Sequence, residues 1–136
     1  MKKYAMAATL ALFAVGASAG NIAALTGAVS GANDDVCTGS TAAKYTVYGG
    51  PGTPVTESTS FIKTGFSVQC SANTYVTFQN WGATDFRVGS ASAKGNQSYK
   101  GSSNGGAVVL NAACGQSTTP CAQTDAQTAA TAASSM

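Results

Sequence analysis

Four cysteines, Cys37, Cys70, Cys114 and Cys121, follow an N-terminal leader, and together these two features narrow what the chain can become. Lys2 and Lys3 precede an apolar run from Ala5 to Val15, and Ala17-Ser18-Ala19 puts small residues at the first and third positions before a cut. That is the pattern of a signal peptide over residues 1–19, with a mature chain beginning at Gly20. The apolar run is too short to span a bilayer comfortably, so no stable membrane span is expected after cleavage. An exported chain meets an oxidising compartment, where an even number of cysteines reads as disulfides. Four cysteines permit three pairings, and sequence does not select among them. The expected arrangement is Cys37 with Cys70, joining an early strand to a later one, and Cys114 with Cys121, closing a tight loop that carries Pro120.

Staples matter here because about 117 residues remain after the leader, enough for one domain with one modest core. Without the leader, Lys44, Lys63, Arg87, Lys94 and Lys100 balance Asp34, Asp35, Glu57, Asp85 and Asp125, and the net formal charge is zero. No basic footprint for nucleic acid is left. Low charge density also removes the repulsion that keeps copies apart, so the composition suits self-association.

The chain contains no histidine. A serine triad lacks its base, a cysteine–histidine pair is impossible, and a histidine-bearing zinc site is excluded. No Cys-x-x-Cys knuckle and no Asp-x-Asp-x-Asp-Gly calcium loop appears. The expectation is a non-enzyme with no catalytic residue, metal or cofactor. Asp34-Asp35, the adjacent carboxylate pair, reads as a turn or solvated loop before Cys37, since neighbours on an extended chain point to opposite sides.

Three compositional zones follow the leader. Residues 20–35 form a small-residue arm, in which Ile22, Leu25 and Val29 make a weak apolar stripe. Residues 36–121 are β-like, with short runs rich in Val, Thr, Tyr and Phe between turn residues. Strands are expected near 44–48, 53–57, 61–70, 74–78, 85–88, 97–100 and 105–111. In Phe66-Ser67-Val68-Gln69-Cys70 the alternation puts Phe66, Val68 and Cys70 on one buried face. Gly49-Gly50-Pro51-Gly52 cannot continue a strand, Asn104-Gly105-Gly106 is expected to supply positive φ angles to a tight hairpin, and residues 89–96 read as hairpin loop. Residues 122–136 hold Ala, Thr, Gln and Ser, with no large apolar side chain before Met136, and are expected to bury little as a mobile tail or weak helix. The fold class is therefore all-β: a small antiparallel sandwich with a flexible N-terminal arm and C-terminal tail.

Cys37, then Phe66-Ser67-Val68-Gln69-Cys70, then Tyr75-Val76-Thr77-Phe78 resembles the subunits of chaperone–usher fimbriae across about half the mature chain. The resemblance implies an incomplete immunoglobulin-like sandwich, completed by the N-terminal arm of the next subunit through β-strand addition. By that analogy the arm is Asn21 to Ser30, with Ile22, Leu25 and Val29 as subunit contacts. The implied partners are copies of itself or related surface subunits, together with an export chaperone. The expected function is a structural subunit of an extracellular filament, pilus or surface coat, secreted through the periplasm.

A monomeric adhesion or carbohydrate-binding module is the alternative. Trp81, in Phe78-Gln79-Asn80-Trp81-Gly82, is its candidate stacking residue, with Asn80 and Gln79 as polar partners. The competing expectation for Trp81 is that its indole anchors a small core.

Overall fold

The computed structural model of this protein describes residues 19–20, 31–47, 60–115 and 119–136. Among them are β1 (Ala19–Gly20), β2 (Asp34–Thr38), β3 (Ala43–Val47), β4 (Phe66–Cys70), β5 (Thr74–Asn80), β6 (Phe86–Ser92), β7 (Gln97–Ser102) and β8 (Val109–Ala113). They form a three-stranded sheet in the order β1-β3-β4 and a five-stranded sheet in the order β2-β5-β6-β7-β8. Every pairing is antiparallel except the two-residue β1, which runs parallel to β3. The fold is the small all-β sandwich that the alternating runs imply. Residues 1–18, the arm contacts Ile22, Leu25 and Val29, and the strand expected at 53–57 lie outside the described residues; the expected cleavage point falls within β1.

The core lies between the sheets. Val36, Cys37, Val47, Cys70, Phe78 and Phe86 are buried there, with Tyr45, Phe66, Val68, Val76 and Val88 packed against them. Phe78 sits 5.2 Å from Phe86 and 6.0 Å from Phe66, within the range of tilted aromatic contacts. Both disulfides form as expected. Cys37–Cys70 staples β2 to β4 across the sandwich, and Cys114–Cys121 ties the end of β8 to the segment leading into a helix.

That helix, α1 (Gln123–Ala132), corrects the expectation that residues 122–136 bury little. It lies on the outer face of the five-stranded sheet and makes a third layer against β5, β6 and β7. Ala126, Ala129 and Ala130 are completely buried, and a final 3₁₀ turn (Ala133–Ser135) adds Ala133. Alanine is the best helix former, and Asp125 in the first turn accepts the Ala122 N–H at 2.7 Å. At the other end the Lys100 ammonium donates to the Ala132 carbonyl at 3.0 Å, complementing the negative pole of the helix. Side chains this small let the helix backbone come very close to the sheet.

Gly89 makes that approach possible. It lies in β6, and a β-carbon placed on it falls 1.9 Å from the Ala126 carbonyl oxygen. The stretch read as hairpin loop is therefore mostly strand, and the turn is confined to residues 93–96. Asn104-Gly105-Gly106 also differs from expectation. Neither glycine has positive φ, and the connection from β7 to β8 runs through residues 103–108 with a Gly105 N–H to Ser102 carbonyl bond.

Asp34 and Asp35 are not a solvated loop but part of β2, so the sheet takes the last two residues assigned to the arm. The pair fits a strand because its two carboxylates reach opposite faces. Asp35 points beneath α1, accepting from Thr77 Oγ1 at 2.7 Å, Gln123 Nε2 at 2.8 Å and Gln127 Nε2 at 2.9 Å. Asp34 lies opposite Phe78. Burial, followed by repulsion from Asp35, raises its carboxyl from 3.8 to about 6. A raised carboxyl binds more protons in the folded chain than in the unfolded one between those values, so stability falls as pH rises through that window. Asp34→Asn is therefore expected to stabilise the fold above about pH 7 by about 1 kcal/mol, a figure discounted for solvent screening, and to add nothing near pH 4. Paired thermal melts at the two pH values check it; an equal gain at both would refute the titration argument.

Candidate functional site

The three residues proposed from sequence as a ligand platform do not form one. Gln79 and Asn80 are consecutive in β5, so their side chains leave opposite faces of the sheet, and both are buried. Gln79 Nε2 donates to Asn33 Oδ1 at 2.7 Å and Thr131 Oγ1 at 2.9 Å, and its Oε1 accepts from the Trp81 indole at 3.1 Å. Asn80 Nδ2 donates to Ser60 Oγ at 2.8 Å, and its Oδ1 accepts the Phe61 N–H at 3.4 Å. Their polar atoms are used in holding β5 to its surroundings. Had β5 been extended past Phe78 in the sequence, alternation alone would have separated the two.

Trp81 follows the end of β5 and is 42% exposed, so it does not anchor the core either. The Arg87 guanidinium stands 4.6 Å from the ring centroid, itself fixed by Asp85, which accepts from Arg87 Nε at 2.8 Å. Gly31 abuts the six-membered part of the indole; a β-carbon there would fall 2.0 Å from Trp81 Cε2. Gly31 also has φ of +70° and donates its N–H to the Asn80 carbonyl. Trp81 thus clamps the entry of the chain into β2, with a cation over its ring where a sugar would stack.

Cys114, Cys121 and Asp125 bring ligand-type atoms within 4.8 Å of one another. Both sulfurs are bonded to each other and the Asp125 carboxylate caps Ala122, which leaves no thiolate to hold a metal.

An exposed apolar surface lies on the side of the five-stranded sheet away from α1. Ser98 and Lys100 of β7 point toward α1 or the sheet's outer layer, so Tyr99 and Gly101 point the opposite way, into the side where the three-stranded sheet packs. Leu110 pairs with Tyr99 and shares its face, and Val108 lies over Gly101. Three strands do not cover five. Among the described residues a groove of ≈ 460 Å³ lies beyond Phe86 and Val88, lined by Phe61, Gly101, Ala107 and Val108 among others. Val108 is 73% exposed and Leu110 53%. β8 is the last strand of its sheet, and among the described residues nothing pairs with its outer edge. Sequence reading missed this surface because it placed a strand near 105–111 without saying which strand would be an edge; the run Ala107-Val108-Val109-Leu110 was the available signal.

No helix among the described residues is long and apolar enough to cross a membrane. Comparisons with known protein families, with characterised proteins and with solved structures find no match for this chain.

Proposed function

We propose that this chain is a secreted structural subunit of an extracellular filament, pilus or surface coat, joined to its neighbours by strand addition. One observation carries the reading: among the described residues, the inner face of the five-stranded sheet is covered only in part, leaving an apolar groove beside Phe61, Phe86, Val88 and Val108. A monomer gains nothing by exposing such a face, whereas a strand from a neighbour buries it. The occupant is the arm of the next copy, Asn21 to Ser30, whose Ile22, Leu25 and Val29 supply apolar side chains. Neither the arm nor the lining of the groove carries a charge, so nothing opposes their contact. The two disulfides suit an oxidising exterior.

The alternative module that binds sugars through Trp81, Asn80 and Gln79 is weakened by the burial of the two amides and by Arg87 over the indole. The deciding experiment is negative-stain microscopy with light scattering on the exported protein, beside a variant carrying Ile22→Ser, Leu25→Ser and Val29→Ser. Filaments from the parent and monodisperse particles from the variant are expected. A parent that stays a monomer at every concentration would sink the structural reading.

A further inference from the structure

We propose that Asn104 is a site of spontaneous covalent modification, which turns its side-chain amide into a carboxylate at the rim of the apolar groove. The conversion needs water and no other partner. Its effect on assembly rests on the filament reading; the conversion itself does not.

Of the asparagines in the chain, Asn104 is the one followed by glycine. An asparagine amide is cyclised by the main-chain nitrogen of the next residue, and a β-carbon on that residue obstructs the approach. Glycine has no β-carbon and reaches backbone conformations that other residues resist. Asn33, Asn73, Asn80, Asn96 and Asn111 are each followed by a residue with a side chain. Three of these are also held by their amides. Asn33 Oδ1 accepts from Gln79 Nε2 at 2.7 Å, Asn80 is bonded through both Oδ1 and Nδ2, and Asn111 Nδ2 donates to Ser98 Oγ at 3.2 Å.

Asn104 is exposed in the connection from β7 to β8, and among the described residues its side-chain amide has no hydrogen-bond partner. Its main-chain N–H donates to Ser102 Oγ at 3.1 Å, which anchors the backbone and leaves the side chain to turn. The Gly105 N–H donates to the Ser102 carbonyl at 3.2 Å, and this exposed turn bond must open before the nitrogen attacks. Nothing lies within 4 Å of a β-carbon placed on Gly106, so the main chain beyond has room to move.

The step balances with water as co-reactant. The Gly105 nitrogen gives its proton to solvent and attacks Asn104 Cγ, an intramolecular reaction favoured by proximity. A nitrogen–carbon bond closes a five-membered succinimide, the bond from Cγ to Nδ2 breaks, and the leaving nitrogen takes up a proton as ammonia. Water then opens the ring at either carbonyl, giving aspartate, or isoaspartate with the main chain running through the β-carbon. One water enters and one ammonia leaves, with no oxidation or reduction.

Ser103 and Gly105, on either side of Asn104, both line the groove with Phe61 and Val108. A carboxyl in this exposed turn is ionised at neutral pH, and the net formal charge of the mature chain goes from zero to minus one. An apolar segment seated in the groove then crowds a charge out of water, which opposes its binding. Ammonia is not recaptured, so the conversion runs one way and marks the age of each subunit.

The test is peptide mapping by mass spectrometry on the exported protein, kept warm at mildly alkaline pH over a time series, beside Gly105→Ala and Gly106→Ala. Asn104 is expected to convert ahead of every other asparagine, with isoaspartate exceeding aspartate as the mark of the ring intermediate. Gly105→Ala is expected to slow conversion by at least about tenfold, equivalent to about 1.4 kcal/mol in the barrier, while Gly106→Ala converts like the parent. Another asparagine converting first, aspartate without isoaspartate, or equal rates in Gly105→Ala and the parent overturns the proposal. Asn104→Asp is the second arm, expected to raise several-fold the concentration needed for filaments seen by negative-stain microscopy. Filaments as ready as the parent's would overturn the effect on the groove. Conversion in a parent that stays a monomer would leave the modification standing and remove the filament reading; filaments without conversion would do the reverse.

Discussion

Gly89→Val is expected to unseat α1 and lower the melting temperature by about 10–15 °C, equivalent to a loss of about 3 kcal/mol or more. The obstacle is backbone, not a side chain that can turn aside. A β-carbon at residue 89 falls 1.9 Å from the Ala126 carbonyl oxygen and 2.4 Å from the Ala130 nitrogen. Relief requires the helix to lift. Lifting exposes Ala126, Ala129 and Ala130, and breaks the bonds from Gln123 and Gln127 to Asp35 and from Gln79 to Thr131. The freed groups around Asp35 then lose partners in a half-buried place, which adds to the cost. Thermal melts and limited proteolysis with mass spectrometry would read this out, with new cleavage expected within residues 122–136. Gly106→Ala is the control, because nothing lies within 4 Å of a β-carbon there and the change should stay within about 0.5 kcal/mol. If Gly89→Val melted and resisted protease like the parent, the close seating of α1 would be wrong.

The second large effect concerns the staples, and their ranking follows from the lengths of chain they close. Cys37–Cys70 spans 33 residues and Cys114–Cys121 only 7. Loop-closure entropy makes the first worth about 4 kcal/mol and the second about 2 kcal/mol. Replacing Cys37 and Cys70 together by alanine should therefore cost the domain more than replacing Cys114 and Cys121. The first pair also lies in the main core, where two alanines leave a void between the sheets. Urea titration of the two double variants would check the order. The reverse order would mean that anchoring the start of α1 outweighs the entropy of the longer loop.

What could be read from the sequence was whatever announces itself within one element. The alternation of Phe66, Val68 and Cys70 is visible in five letters, and those residues line the core. The same holds for Val76 and Phe78, and the observed cysteine pairing is the one that strand order and loop length favour among the three that sequence leaves open. What stayed hidden depends on two elements at once. Ala126 and Ala130 look unable to bury anything until Gly89 is opposite them, and Gly89 looks like loop until a helix backbone needs its missing side chain. The carboxylates of β2 read as solvated because Thr77, Gln123 and Gln127, which hold Asp35, are distant in the chain. For the candidate surfaces the failure was of another kind. The polar residues beside Trp81 were read by proximity in sequence, while the strand they occupy sends them to opposite sides.

The cross-sheet disulfide has a mechanical meaning as well as a thermodynamic one. The chain enters β2 just after Gly31, where the indole of Trp81 holds it, and reaches Cys37 a few residues later. Any tension arriving from the N-terminal side is thus delivered almost at once to a covalent link between the two sheets. Hydrogen bonds of an edge strand such as β2 open one after another when the strand is peeled from its end. Here peeling stops at Cys37, and the load passes through sulfur to Cys70 at the end of β4 and on toward β5, so that β3 and β4, enclosed between the two cysteines, carry none of it.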